Sequence, residues 1–131
     1  MMWIGAIRMI YWYDHLYTDE AVRRKAPDFK KVVEDKVKKS TPGKIFSKKM
    51  IPSKHFYLLV LANNQENLFE IVNTNQMFFR YYEYTDVYVV GIAKKYDGAV
   101  EILRRILTEG YGADQAFDPR AVFTRNRFFP N

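Results

Sequence analysis

The chain contains no cysteine. That excludes disulfides, thiolate zinc sites and cysteine nucleophiles, and it leans towards a reducing compartment such as the cytoplasm. Histidine is nearly missing as well. His15 and His55 stand far apart with no helical ligand pair, so neither is read as a metal ligand. The serines are Ser40, Ser47 and Ser53, all in one basic stretch and none in a nucleophile elbow. The 6 glycines are not grouped as a dinucleotide or phosphate loop requires. No apolar run approaches the roughly 20 residues that span a bilayer. Met1–Tyr13 is apolar but lacks an early basic patch and a small-residue cleavage site, so it is not read as a signal peptide. These absences assign no catalytic residue, metal or cofactor, and they lean away from an enzyme.

What is present describes one domain. Across 131 residues, 48% are hydrophobic and 17% aromatic, too many for a disordered chain and enough for a core. Two runs without charge, Phe56–Ala62 and Val87–Ala93, have the length of strands and not of buried helices. They are continuously apolar, as expected of strands covered on both faces. After the first, Asn63 and Glu66 are spaced as a capping box, and Leu68, Ile71 and Val72 mark one side of a helix. After the second, Asp97 is a helix cap, Ala99, Val100, Leu103, Ile106 and Leu107 form a stripe, and Gly110 ends the helix.

The order strand–helix–strand–helix predicts an α/β fold. Its sheet is small, two- or three-stranded and mainly parallel, with helices Asn64–Asn73 and Gly98–Glu109 flanking it. Met2–Tyr13 supplies the third strand on its aromatic and β-branched content, although Trp3, Ile7, Ile10 and Tyr11 also fit a helical face. The alternative is an α+β fold, an antiparallel meander with Leu68–Val72 and Phe78–Tyr84 as strands. The Phe78–Tyr84 segment packs five aromatic rings into seven residues. At roughly 25 cal/mol per Å² those rings must meet the core or a partner.

The net charge of +6 is unevenly placed. Arg23–Lys54 holds 12 of the 21 lysines and arginines against three acids, a net +9, and leaves −3 for the remainder. Ahead of it, Asp14–Tyr17 turns the chain and Thr18 caps a short helix. A second helix, Asp28–Lys39, buries Phe29, Val32, Val33 and Val37 and turns Lys30, Lys31, Lys36, Lys38 and Lys39 outward. Lys44, Lys48 and Lys49 continue the basic surface in the loop that follows.

Three functional readings follow. The leading one is a non-enzymatic interaction module that binds a protein or an acidic surface through this basic segment and the aromatic-rich connections. The second is a small-anion or nucleotide-binding domain. Its ligand would sit at the carboxyl ends of two parallel strands, on Asn63, Asn64 and Gln65 from one and Lys94, Lys95, Tyr96 and Asp97 from the other. The third is nucleic-acid binding, with lysines along phosphates and the Arg125–Phe129 tail stacking on bases.

The segments Trp3–Tyr17, Tyr57–Met77, Asp86–Leu107 and Phe117–Phe123 together resemble a set of small proteins of anaerobic Gram-positive bacteria with no assigned activity. The resemblance implies a cytoplasmic bacterial setting and carries over no functional residue.

Overall fold

The computed structural model describes residues 7–39, 55–62, 68–74, 85–113 and 119–131. In chain order they form β1 (Ile7–Thr18), α1 (Glu20–Lys25), α2 (Phe29–Lys39), β2 (Tyr57–Leu61), β3 (Phe69–Asn73), β4 (Thr85–Ala93), α3 (Tyr96–Ala113), α4 (Pro119–Val122) and β5 (Phe128–Phe129). A single 3-10 turn, Arg125–Arg127, leads into β5. The strands make one mixed sheet in the order β3-β2-β4-β1-β5.

The two uncharged runs are strands and neighbours, as their composition predicts, but they are not parallel. β2 pairs with β4 antiparallel, Tyr57 opposite Ala93 and Leu58 opposite Ile92. Of the paired strands, only β1 and β4 run parallel. The fold is therefore a five-stranded, mostly antiparallel mixed sheet, which replaces the small, mainly parallel sheet. The continuous apolar character of the two runs corresponds to two covered faces. It says nothing of strand direction, because backbone hydrogen bonds pair equally apolar strands either way.

The helix expected over Asn64–Asn73 is not formed in the part of that range that the structure describes. Phe69–Asn73 is β3, the return strand of an antiparallel pair with β2, Leu61 opposite Phe69 and Tyr57 opposite Asn73. The α+β alternative foresaw this strand. Leu68, Ile71 and Val72 have helical spacing, yet β2 has an open edge whose backbone groups need partners, and the segment that follows it is nearest. The ladder extends past both strands through Ala62 N to Leu68 O and Thr74 N to Phe56 O. Thr74 is 1% exposed, and its Oγ1 accepts from Phe56 N at 2.9 Å. The other meander strand, Phe78–Tyr84, lies outside the described residues.

Helices cover both faces. On one, Val22 of α1 and Phe29, Val32 and Val33 of α2 pack on Ile10, Trp12, Leu58, Val60, Val72, Val87, Val89 and Ile92. On the other, Ala99, Ile102 and Ile106 of α3 pack on Tyr13, Leu59, Val90, Ala93, Phe123 and Phe128. Each fully buried aliphatic side chain contributes about 1.5–3 kcal/mol. Gly91 lets α3 approach the sheet: a Cβ there would stand 3.0 Å from Ile102 Cγ2 and 3.3 Å from Tyr17 O.

β1 is a strand, and it runs past the turn expected at Asp14–Tyr17. It is not regular there. Trp12 lies opposite Val89, but Tyr17 already lies opposite Gly91, so the intervening residues of β1 bulge out of the ladder. Asp14 and His15 are exposed on that bulge. Thr18 is the last strand residue, and the cap of α1 is Asp19. α3 passes through Gly110 and ends at Ala113. Tertiary packing of its apolar stripe outweighs the roughly 1 kcal/mol that a glycine costs a helix.

Candidate functional site

Among the described residues, polar side chains gather at the end of the sheet where β1 and β4 finish side by side, on the outer surface of α1 and α2, and at the β1 bulge. At the first, Thr18 pairs with Ile92, and Asp19 N donates to Ile92 O. This is the sheet end where a parallel pair opens a crevice. The chain fills it with its own carboxylate. Asp19 Oδ1 accepts from Val22 N at 2.8 Å, capping α1. Its Oδ2 accepts from Lys94 N at 3.2 Å, ahead of α3. A Cβ on Gly98 would stand only 2.7 Å from that oxygen.

The residues expected to hold an anion are distributed accordingly. Lys94, Lys95, Tyr96 and Asp97 follow β4 and open α3, which begins at Tyr96, so Asp97 lies in its first turn and does not cap it. Lys94 Nζ donates to His55 O at 3.4 Å and sits 4.7 Å over the Phe56 ring. Tyr96 meets Tyr57 edge-on at 5.8 Å, and Tyr57 meets His55 at 5.5 Å. Lys95 and Asp97 face solvent. Asn63, Asn64 and Gln65 lie outside the described residues. With β2 antiparallel to β4, the carboxyl ends of these strands are at opposite ends of the sheet. The premise of a shared pocket, two parallel strands ending side by side, is thereby removed.

The basic surface begins on α1, where Arg23, Arg24 and Lys25 are exposed in the last turn. Arg23 Nη1 donates to Thr18 O and Oγ1. Arg24 pairs with Glu20 at 3.4 Å, a solvent-exposed ion pair worth about 0–1 kcal/mol. On α2, Lys31 is exposed, whereas Lys30 is half-buried with its ammonium 5.7 Å from the Trp12 ring. Glu34 turns inward, accepting from Trp12 Nε1 at 3.3 Å and from Asn131 Nδ2 at 3.0 Å. Lys36, Lys38 and Lys39 belong to α2 by their backbone, and their side chains lie outside the described residues. So do Lys44, Lys48 and Lys49.

The β1 bulge carries the cluster that sequence reasoning missed. Arg127 donates through Nε to Asp14 Oδ2 and through Nη2 to Asp14 Oδ1, both at 3.0 Å. His15 Nδ1 lies 3.0 Å from Asp14 Oδ1 and 2.8 Å from Arg127 Nη2. The guanidinium also sits 4.9 Å over the Tyr13 ring. Hydrogen bonding to Arg127 holds the Asp14 carboxyl below the usual carboxylate range, and burial pushes the Tyr13 hydroxyl up. No local pattern in the sequence announces this contact, because more than a hundred residues separate Asp14 from Arg127.

The sign of the Asp14 shift sets a pH dependence. A depressed carboxyl stabilises the fold above its unfolded value of 3.8, and that contribution is lost as pH falls through the lower folded value. Acid titration followed by circular dichroism should therefore show the disadvantage of Arg127→Ala relative to the wild type shrinking as pH falls below 3.8. A disadvantage that stays constant from pH 6 to pH 2 would mean that Asp14 and Arg127 are not coupled.

Among the described residues no group of three or more His, Asp or Glu could hold a metal ion, and no helix is long and apolar enough to cross a membrane. No family model matches the chain, and neither a curated protein nor a solved structure does.

Proposed function

We propose that this protein is a non-enzymatic interaction module that binds an acidic protein surface through the basic α1–α2 layer. The observation that carries the reading is the net +9 over Arg23–Lys54, whose helical part buries one apolar face on the sheet and leaves Arg23, Arg24, Lys25 and Lys31 in solvent. Exposed cations of one sign steer an acidic partner and raise its rate of encounter. The inward turn of Glu34 to Trp12 and Asn131 takes one of the three acids off that surface. A bacterial cytoplasmic setting belongs to the same proposal, resting on the absence of cysteine and on the sequence resemblance.

An anion pocket between the ends of β2 and β4 has no geometric basis, since the two strands are antiparallel and their carboxyl ends lie at opposite ends of the sheet. The test uses polyglutamate and a single-stranded oligonucleotide of equal charge at two salt concentrations. Polyglutamate should bind at low salt, and the triple variant Arg24→Glu/Lys25→Glu/Lys31→Glu should weaken it about tenfold, since surface pairs contribute about 0.2–1 kcal/mol each. Unchanged affinity in that variant would remove α1–α2 as the binding surface. Binding of the oligonucleotide alone, with a steep salt dependence, would replace the acidic protein with nucleic acid.

A further inference from the structure

The contacts around His15 cannot all exist in one protonation state. Nδ1 has a single in-plane position, which carries either a hydrogen or a lone pair. Arg127 Nη2, 2.8 Å away, is a donor only and needs the lone pair. Asp14 Oδ1, 3.0 Å away, is ionised and needs the hydrogen. A neutral imidazole protonated on Nε2 accepts from Arg127. A proton taken from solvent onto Nδ1 converts that nitrogen into a donor to Asp14 Oδ1, takes His15 away from Arg127 Nη2 as an acceptor, and leaves the guanidinium held by the two Asp14 oxygens alone. The cluster of Asp14, His15 and Arg127 then changes from neutral to a net +1, with an imidazolium in contact with a guanidinium.

What Arg127 holds gives this exchange a structural consequence. Arg127 directly precedes β5, whose Phe128 pairs with Tyr13 and is 5% exposed. The Phe128 ring meets Tyr13 at 5.4 Å and Tyr88 at 5.3 Å. The next residue, Phe129, is 54% exposed. β5 is therefore a two-residue strand whose backbone pairs with Tyr13 and Trp12, with one buried ring, the Arg127 clasp before it and the bond from Asn131 to Glu34 after it. We propose that Asp14, His15 and Arg127 form an acid-responsive clasp that loosens β5 from the β1 edge when His15 takes up a proton. Tyr13, whose ring lies under Arg127 and 6.3 Å from the His15 ring, completes the titratable and charged groups facing the imidazole among the described residues. Its hydroxyl is pushed upward by burial, and the Asp14 carboxyl is held down by Arg127. Histidine is the side-chain type whose charge ordinarily changes between about pH 5 and 8, and His15 is the histidine of this cluster.

The experiment is a pH titration of the full chain from 8 to 5 by nuclear magnetic resonance. It reads the His15 ring protons, the Arg127 Nε–H and the Phe128 and Tyr13 amides. The backbone and guanidinium signals should move with the midpoint of the His15 ring, and the movement should be lost in His15→Asn, which can accept from Arg127 without titrating. His55 is unaltered in that variant, so a change at His55 cannot imitate the effect. Static Phe128 and Arg127 signals in the wild type, movement that persists in His15→Asn, or a His15 ring that does not titrate in this range would each overturn the clasp.

Discussion

Trp12→Ala should lower the unfolding free energy by about 3–5 kcal/mol, the usual range for removing a buried tryptophan. The ring is 2% exposed, and Trp12 connects three elements. Its backbone pairs with Val89 of β4 and Phe129 of β5, and its ring meets Phe29 of α2 edge-on at 5.9 Å. The indole N–H donates to Glu34, one turn further along that helix. Alanine leaves a cavity under α2 and takes a donor from a half-buried carboxylate. Trp12→Phe keeps much of the ring and loses the N–H, and should cost about 1–2 kcal/mol. Urea denaturation followed by circular dichroism measures both. The loss is a large part of the roughly 5–15 kcal/mol that holds a domain folded. A cost under about 1 kcal/mol for Trp12→Ala would show that α2 does not rest on this ring. Since α2 carries Lys31, the same variant also tests whether the basic surface depends on this anchor.

Gly98→Ala should destabilise the protein by about 1–3 kcal/mol, as overpacking does, although the same change inside an ordinary helix stabilises by about 1 kcal/mol. The new Cβ would meet Asp19 Oδ2 at 2.7 Å and Ala93 Cβ at 3.0 Å. The carboxylate cannot swing aside without cost, because its two oxygens accept from Val22 N and Lys94 N. Asp19→Ala alone loses the α1 cap and the Lys94 bond, about 1–3 kcal/mol. Combined with Gly98→Ala it should cost less than the sum by about 1 kcal/mol, since the alanine at 19 opens space for the methyl group at 98. Ala93 still crowds the site, so relief is partial. Strict additivity of the two changes would mean that Asp19 does not fill the crevice between α1 and α3.

Where the sequence was legible, the signal was local. Phe56–Ala62 and Val87–Ala93 carry no charge and became the two buried central strands, β2 and β4. The stripes on Phe29–Val33 and Ala99–Ile106 marked the faces that α2 and α3 bury. Two residues of α3 depart from the expected stripe: Val100 belongs to it and is exposed, and Ile102 is absent from it and is buried. Leu68–Val72 misled because its apolar residues satisfy helical spacing and a short strand alike, and five residues are too few to separate the two periods. The candidate sites were less legible than the elements. Asp19 meets Lys94 only once β1 and β4 lie side by side, and His15, which the sequence shows only to lack a helical ligand pair, meets Arg127 only once β5 returns to β1.

The amino-acid order alone determined which segments form the interior, where positive charge concentrates, and that no thiol chemistry is available. It did so because burial, helical amphipathicity and charge are properties of side chains within a few residues of one another. Tertiary structure decided that β2 opposes β4, that β1 is the strand running alongside it, and that Asp14 meets Arg127. Those choices are made by backbone hydrogen bonds and packing between segments distant in the chain, and one apolar strand satisfies an open sheet edge in either direction.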